Sequence, residues 1–296
     1  MRRFGTMTGI VAAMLALLAV APGLGGDAAH GAGGHDIHLR LDQEQGAPGN
    51  ANDQRVRTAR IVELYETLVA PKALEVIAGL RSVDHIFDAG VRGRVTPVGE
   101  FHDREGVNEY FYGLASTPTS PVVEVHFRSL VASGGKIAVE VDITFDRLNR
   151  PPPERLQTLR QTGFFTFDRK NHVISFDLAI LNLGAAVNPT TDAERATNIT
   201  TVCALLTLGF PGQPATCPGT FSSAPQPGAQ FAACVAFMQS IPYGTWDRAN
   251  SNTFVCRQLH SLLTPLRPDV HCPHCSPGGG GTCIDFTYES FFDREF

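Results

Sequence analysis

The chain has 296 residues, a formal net charge of −5 at pH 7 and 43% hydrophobic residues. This length allows one large domain or two small ones, and this share of hydrophobic residues supports a buried core, which excludes a wholly disordered chain. A nucleic-acid-binding protein would carry a basic surface, so the acidic balance argues against nucleic acid as a partner.

The N-terminus has the composition of a secretion signal. Arg2 and Arg3 precede an apolar run from Ile10 to Ala21, and glycine-rich sequence follows. This pattern is typical of a signal peptide, which we assign to residues 1–26. The apolar run is shorter than the roughly 20 residues that cross a bilayer, so we expect an exported protein, secreted or periplasmic, without stable membrane insertion. A retained N-terminal anchor is the alternative, and residues 27–53 predict a flexible leader.

The spacing of apolar side chains predicts the elements that follow. Intervals of three and four residues predict a helix from Val56, a second helix that opens at Pro71 and a third that begins after Asp103. A strand is expected over Val91–Val98. A period of two then predicts two hairpins within residues 123–181. This order indicates an α+β domain in which an antiparallel sheet curls around the helices.

Three stretches of this domain carry a family resemblance. They are I-V-E-L-Y-E-T-L at 61–68, V-T-P-V-G-E-F-H-D-R-E-G-V-N-E-Y-F at 95–111 and F-F-T-F-D-R-K-N-H-V-I-S-F at 164–176. Through them, residues 56–184 resemble the SnoaL-like family, whose cone-shaped fold is shared by nuclear transport factor 2, ketosteroid isomerase and scytalone dehydratase. The resemblance implies helices packed on a curved antiparallel sheet, and we assign this cone domain to residues 54–186. It also implies a pocket between the first helix and the concave sheet.

The resemblance assigns roles to three residues. Tyr65 and Glu66 stand where the dehydratase branch has a Tyr-Asp pair, and His126 stands where that branch has a strand histidine. It implies that His126 is a general acid/base, that Glu66 orients it, and that Tyr65 donates a hydrogen bond to a carbonyl oxygen. The second histidine of that branch has no counterpart between Leu156 and Phe165.

The resemblance also implies a set of residues that contact the ligand, and it implies no cofactor. These ligand-binding residues are Phe101, Tyr110, Phe111, Glu140 and Asp142. Two orientations of the strand that carries His126 stay open. If His126 faces the pocket, the aliphatic side chains beside it face outwards, and a homodimer through the sheet or the C-terminal extension must cover them. If the aliphatic face lines the pocket instead, the ligand is apolar and His126 takes no part.

All seven cysteines lie in the last third of the chain. They are Cys203, Cys217, Cys234, Cys256, Cys272, Cys275 and Cys283. In an exported chain this distribution predicts a disulfide framework, and we assign residues 187–296 to a cysteine-rich, mainly helical extension. Cys275 is expected to be the free thiol, because a bridge to Cys272 would span a very short loop. We favour a Cys203–Cys217 bridge, and the other four cysteines share two bridges whose partners stay open.

The last part of this extension also contains histidines. The stretch H-C-P-H-C-S-P-G-G-G-G-T-C at 271–283 is too rich in proline and glycine to predict regular structure. Cysteines in disulfides do not bind metal as thiolates, so the expected framework leaves no metal site. An all-histidine site of His260, His271 and His274 is the alternative.

Three functions remain open at this point. The first is an exported protein whose pocket binds a small, largely apolar organic molecule, with proton-transfer chemistry of the lyase or isomerase type as its catalytic form. The second is a non-catalytic secreted binding or interaction module that its disulfides stabilise. The third is a metal-binding protein that uses the C-terminal histidines and cysteines.

Overall fold

The computed structural model describes residues 49–117, 120–147, 154–210, 212–223, 226–287 and 289–290. The expected signal peptide at 1–26 lies outside these residues, as does nearly all of the expected leader at 27–53. Within the described ranges, no helix has both the length and the apolar composition that crossing a membrane requires.

The first helix begins earlier than predicted. Helix α1 spans Ala51–Glu66, and Asn50 caps it through a side-chain oxygen that accepts from the backbone N–H groups of Asn52 and Asp53. The Asp53 carboxylate accepts in return from the N–H of Asn50. This capping box satisfies N–H groups that the first turn leaves without helical partners. The end of the expected leader is therefore helical.

Two further helices pack in the cone. Helix α2 spans Lys72–Ile77, directly after Pro71 as predicted. Helix α3 spans Arg104–Asn108 and continues as a π-helical turn over Glu109–Gly113. Asp103 caps α3 as predicted, because its side chain accepts from the N–H of Gly106.

Six strands form one curved sheet. They are β1 (Phe87–Thr96), β2 (Gly99–Phe101), β3 (Val122–Ser133), β4 (Lys136–Asp146), β5 (Leu156–Phe167) and β6 (Val173–Ile180). Their order across the sheet is β2-β1-β6-β5-β4-β3, so no strand comes from the extension within the described residues. The two predicted hairpins are the β3–β4 and β5–β6 pairs. The sheet is mixed rather than antiparallel throughout, because the early strand β1 pairs parallel with the last strand β6.

One glycine permits the close approach of two strands in this sheet. Gly163 in β5 has φ of 148°, and a Cβ atom there would lie 2.1 Å from the carbonyl oxygen of Asp177 in β6. A side chain therefore has no room at this point of the β5–β6 pair. Glycine inside a strand often marks such a close approach or a bend.

The extension is mainly helical, as predicted. The short helix α4 (Leu183–Val187) connects the cone to it. The extension's own helices are α5 (Asp192–Thr207), α6 (Pro227–Ser240), α7 (Phe254–Ser261) and α8 (Pro268–Cys275), with 3-10 turns at Trp246–Arg248 and Gly279–Gly281. The expectation of irregular structure from residue 271 is wrong for the part that α8 contains. Pro268 occupies the first turn, where its missing N–H costs nothing, and Pro273 falls near the end of this short helix.

Three disulfides hold the extension together. The pairs are Cys203–Cys234, Cys217–Cys272 and Cys256–Cys283. Cys275 is free and buried, as predicted. The favoured Cys203–Cys217 bridge is wrong, because Cys203 on α5 faces Cys234 on the neighbouring helix α6, with 5.7 Å between their Cα atoms.

The interior of the cone continues into the extension. Trp246, Val255 and Leu259 of the extension belong to the same buried cluster as the apolar side chains of the sheet and of α1. A second cluster lies within the extension and includes Val202 and Met238. The extension therefore packs against the cone over a shared core and also has a core of its own.

The disulfide of the longest loop should contribute most to stability. Cys217 and Cys272 are 55 residues apart, so replacing both by serine should lower the free energy of unfolding by about 4 kcal/mol. Replacing the free Cys275 by alanine removes a small buried side chain without opening a loop and should cost about 1 kcal/mol. Urea unfolding of the two variants measures the difference, and equal losses would contradict this account.

Candidate functional site: an apolar cavity under the extension

A cavity of about 160 Å³ lies between the inner face of the sheet, the α3 region and the extension. Most of its walls are apolar. The cone provides Leu68, Val98, Phe111, Leu114, Ile143, Phe145, Leu159 and Ile180. The extension provides Trp246, Leu259 and Leu262, so residues more than 60 positions beyond the sheet complete the pocket.

A chain of hydrogen bonds between buried polar side chains reaches this cavity. The hydroxyl of Tyr65 donates to Oε1 of Gln161 over 2.7 Å, and Nε2 of Gln161 donates to the hydroxyl oxygen of Tyr110 over 2.9 Å. Gln161 and Tyr110 line the cavity. No protein acceptor for the Tyr110 proton is found among the described residues, so this hydroxyl can donate to a ligand.

Both phenols act as donors rather than bases at neutral pH. Burial raises the pKa of Tyr65 well above its usual value, and the neighbouring Tyr110 raises it further. Burial also raises the pKa of Tyr110, although the hydrogen bond with Gln161 opposes the shift. The hydroxyl of Tyr110 can therefore donate to a carbonyl oxygen or another acceptor of a ligand. The hydrogen bond from Gln161 polarises this O–H group and strengthens that donation.

A guanidinium group forms a second polar point on the cavity wall. Arg147 is buried and donates from Nη1 to Oε1 of Gln157 over 3.0 Å. Both side chains line the cavity, and Gln157 donates in turn to the carbonyl oxygen of Ala186. A positive charge beside apolar walls suits a ligand that carries an acceptor or a partial negative charge at one end.

The proposed acid/base residues are not brought together. His126 is exposed, and its neighbour Phe127 points inwards, where its ring lies 5.6 Å from the ring of Tyr65. Because successive side chains of a strand alternate between faces, His126 lies on the outer face of the sheet. Glu66 is also exposed, so the prediction of a Tyr65, Glu66 and His126 site in the pocket is wrong.

Glu140 and Asp142 also lie outside the pocket. Asp142 is paired in register with His126 and accepts hydrogen bonds from Nε of Arg160 over 2.8 Å and from Nε of Arg128 over 2.7 Å. Glu140 lies 3.5 Å from Arg160. The predicted roles of both carboxylates in ligand contact are therefore wrong, because arginines on the outer face of the sheet hold them there.

Two of the three predicted aromatic residues line the cavity. Tyr110 and Phe111 line it, and their ring centroids are 4.8 Å apart. The predicted ligand contact of Phe101 is not found, because Phe101 does not line the cavity; its ring packs against Tyr110, with 4.7 Å between the centroids. The aliphatic face of the sheet lines the pocket, which is the second of the two orientations left open. The extension covers that face, and a homodimer through the sheet stays a prediction.

The pocket residues that the sequence analysis did not assign to a site include Gln161, Arg147 and Trp246. Gln161 is a polar side chain at an inward position of β5, two residues after the apolar Leu159, and this break in the pattern is a usable signal. Arg147 and Trp246 follow no local pattern that points to the pocket. Arg147 reaches the pocket because it directly follows the end of β4, and Trp246 reaches it because of the way the extension packs on the cone.

The structure brings the three candidate histidines together. Nδ1 of His260 lies 3.2 Å from Nδ1 of His271 and 3.2 Å from Nδ1 of His274. Burial lowers the pKa of His260 well below its usual value, and the neighbouring rings of His274 and His271 lower it further. Burial is also the main cause that lowers the pKa of His274 to about 4. Both rings are therefore neutral at pH 7.

Comparisons with known proteins find relatives of most of the chain. The profile of the BfoA family C-terminal domain matches residues 216–286. The "Bifonsecin B biosynthesis cluster protein A" of Aspergillus brasiliensis is 25% identical over 245 residues, which cover 75% of this chain and 76% of that protein. The "Aurasperone B biosynthesis cluster protein A" of Aspergillus niger is also 25% identical, over 75% of this chain and 74% of that protein.

Solved structures are similar to the cone. A protein assigned as a SnoaL-like polyketide cyclase from Jannaschia sp. CCS1 is 13% identical, with a TM-score of 0.36. The match covers 48% of this chain and 99% of that protein. A similarity of this size concerns the fold alone.

The ion pairs of Asp142 lead to a pH-dependent prediction. Hydrogen bonds from Arg160, together with Arg128, lower the pKa of Asp142 to about 2, below the value of about 3.9 in an unfolded chain. A lowered folded-state pKa stabilises the fold above pH 4, and this contribution is lost as the pH falls through about 2. Asp142→Asn should therefore cost about 1 kcal/mol at pH 7, since its partners are partly exposed, and much less at pH 2.

Glu140→Gln is the matched control for Asp142→Asn. Glu140 shares Arg160 but lies at 3.5 Å and is itself exposed to a similar extent as that arginine. Its loss should change the free energy of unfolding by less than about 0.5 kcal/mol at either pH. Urea unfolding at pH 7 and pH 2 gives both values, and a cost of Asp142→Asn that does not depend on pH would refute the prediction.

Proposed function

We propose that the cavity binds a small, largely apolar organic molecule that carries a hydrogen-bond acceptor. The observation that supports this most directly is the hydroxyl of Tyr110, whose proton has no acceptor among the described residues and lies in a largely apolar cavity. A buried donor without a partner is costly, and a ligand acceptor would remove that cost. Arg147 also lines the cavity and would favour an electron-rich group on the ligand.

The proposed activity is binding, or chemistry that hydrogen bonding can assist, rather than proton transfer by a histidine. His126 and Glu66 are exposed, and Tyr65 and Tyr110 keep their protons at neutral pH. A neutral phenol can stabilise charge on a carbonyl oxygen without acting as a base. The cavity would therefore hold its ligand in one orientation and polarise one oxygen of it.

The class of ligand is proposed from the relatives. Their names place them in biosynthesis clusters for bifonsecin B and aurasperone B. We carry over only the general class, a small organic intermediate or product of a biosynthetic pathway. The apolar walls and the few polar groups of the cavity suit such a molecule better than a sugar or a peptide, which would need more hydrogen-bond partners.

We also propose that the chain is exported. Three disulfides in residues 203–283 are stable in an oxidising compartment and rare in the cytosol. The basic and apolar N-terminal sequence supports the same proposal. The alternative function, a non-catalytic secreted binding module, differs from this proposal only in that the bound ligand undergoes no reaction.

The role of Tyr110 can be tested with a matched pair of probes. 1-Tetralone has a carbonyl acceptor that tetralin lacks, and the two molecules have similar size. Trp246 is the one tryptophan in the sequence and lines the cavity, so its fluorescence reports binding. Tyr110→Phe should weaken 1-tetralone binding about fivefold and leave tetralin binding unchanged, because one neutral hydrogen bond is lost.

Tyr112→Phe is the control for this experiment. Tyr112 is fully buried in the same π-helical turn, does not line the cavity, and its hydroxyl has no hydrogen-bond partner among the described residues. This variant should bind both probes as the unchanged protein does. The proposal fails if neither probe binds, or if Tyr110→Phe weakens both probes equally.

A further inference from the structure

Three imidazole rings converge where α7 meets α8. His260 lies in the last turn of α7, while His271 and His274 lie three residues apart on α8. One nitrogen from each ring can be chosen so that all three lie within 4.8 Å of one another. We propose that these three histidines bind one divalent transition-metal ion, Zn²⁺, at a site separate from the cavity.

Hydrogen bonding alone does not account for this arrangement. A neutral imidazole has one N–H donor and one acceptor nitrogen. Nδ1 of His260 lies 3.2 Å from Nδ1 of both His271 and His274. Whether that nitrogen carries a proton or a lone pair, it can make a good hydrogen bond to one of the two rings only. The other contact then brings two nitrogens together without a well-aligned bond, which a cation bound by all three lone pairs would remove.

The two nitrogen–nitrogen distances from His260 match the size of such an ion. Zinc binds imidazole nitrogen at about 2.0–2.1 Å, and tetrahedral geometry then places two ligand nitrogens about 3.3 Å apart. Both distances from His260 are 3.2 Å. Three histidine ligands leave one position of the tetrahedron for water or an external ligand.

The outer nitrogens of two rings already have fixed partners. Nε2 of His271 lies 3.2 Å from Oε2 of Glu109, and Nε2 of His274 lies 3.2 Å from Oγ1 of Thr282. A proton on Nε2 in each ring would satisfy these contacts and leave Nδ1 as a lone pair that faces the centre of the cluster. Metal-binding histidines characteristically have such partners, which orient the ring and make it a better ligand.

The type of ligand selects the type of metal. Imidazole nitrogen suits zinc and similar transition metals, whereas Mg²⁺ and Ca²⁺ prefer oxygen ligands. Cys256 and Cys283 also approach His260, but they form a disulfide with each other and supply no thiolate. The site is therefore expected to contain nitrogen ligands from the protein and no sulfur.

The site connects the extension to the cone. Glu109 belongs to the π-helical turn of the cone, next to Tyr110 of the cavity wall, and its other oxygen lies 2.8 Å from Nε of Arg267. A metal that orders His271 would hold this carboxylate and the start of α8 together. Metal binding would therefore stabilise the docking of the extension over the cavity, since anything that binds the folded state alone stabilises it.

The first test measures metal affinity in the full disulfide-bonded protein. After removal of metal with EDTA, titration calorimetry with ZnCl₂ should show one ion per chain, and MgCl₂ and CaCl₂ should show no binding. His274→Ala should weaken Zn²⁺ binding at least 100-fold, because one of three ligands is lost. The control His126→Ala removes an exposed histidine outside the cluster and should leave the affinity unchanged. Absence of one-to-one binding, or equal affinities in the two variants, would overturn the proposal.

A second pair of variants tests the role of Glu109. Glu105 and Glu109 both pair with Arg267, at 2.7 and 2.8 Å, but only Glu109 of the two contacts His271. Glu109→Gln should weaken Zn²⁺ binding 10- to 100-fold, as losses of such outer partners do, and Glu105→Gln should not change it. If the two variants lose the same Zn²⁺ affinity, the loss comes from the ion pairs with Arg267 and not from the contact with His271. That result would overturn the positioning role of Glu109.

A third measurement needs no variant, so it holds even if His274→Ala fails to fold. X-ray absorption at the zinc edge of the loaded protein should show nitrogen or oxygen neighbours near 2.0 Å and no sulfur near 2.3 Å. A sulfur neighbour would overturn the all-histidine ligand set.

Discussion

The apolar inner face of the curved sheet is the constraint on which the rest of this structure depends. Most side chains of β3, β4 and β5 that point inwards are aliphatic or aromatic, and the cone's own helices leave part of that face uncovered. Exposed apolar surface of this size is unfavourable in water. Trp246, Leu259 and Leu262 of the extension cover it, and the space that they do not fill is the cavity. The binding site and the docking surface are thus two parts of one surface.

Few polar groups can be placed in such an enclosure, and each has to be satisfied. Gln161 uses its amide oxygen for Tyr65 and its amide nitrogen for Tyr110, so both ends of the side chain are bonded. The hydroxyl of Tyr110 then keeps its own proton for a ligand, and the hydrogen bond from Gln161 orients this hydroxyl. The same requirement explains why the carboxylates of Glu140 and Asp142 lie on the outer face, where arginines can pair with them.

The sequence predicted the type of most elements because their apolar periods are strong, and it failed where the choice depended on distant contacts. Apolar and polar side chains alternate regularly around His126, so the pattern fits either orientation of the strand. The packing of Phe127 on Tyr65 decides between the two orientations. The free thiol of Cys275 followed from a local argument about loop length, whereas the Cys203–Cys234 bridge depends on which helices become neighbours. The parallel β1–β6 pair is a long-range contact of the same kind.

The polar contacts between the cone and the extension fix the position in which the extension packs over the sheet. Glu109 is buried, and a buried carboxylate is costly unless it is paired, so the extension has to present Arg267 and His271 to it. Apolar packing at Leu259 would tolerate a shifted docking, because it has little directional preference. A shift would leave the Glu109 charge without partners. The bridges Cys217–Cys272 and Cys256–Cys283 restrict α8 and α7, which carry these partners and the histidine cluster. The disulfides therefore act on the cavity indirectly, by keeping in place the helices that close it.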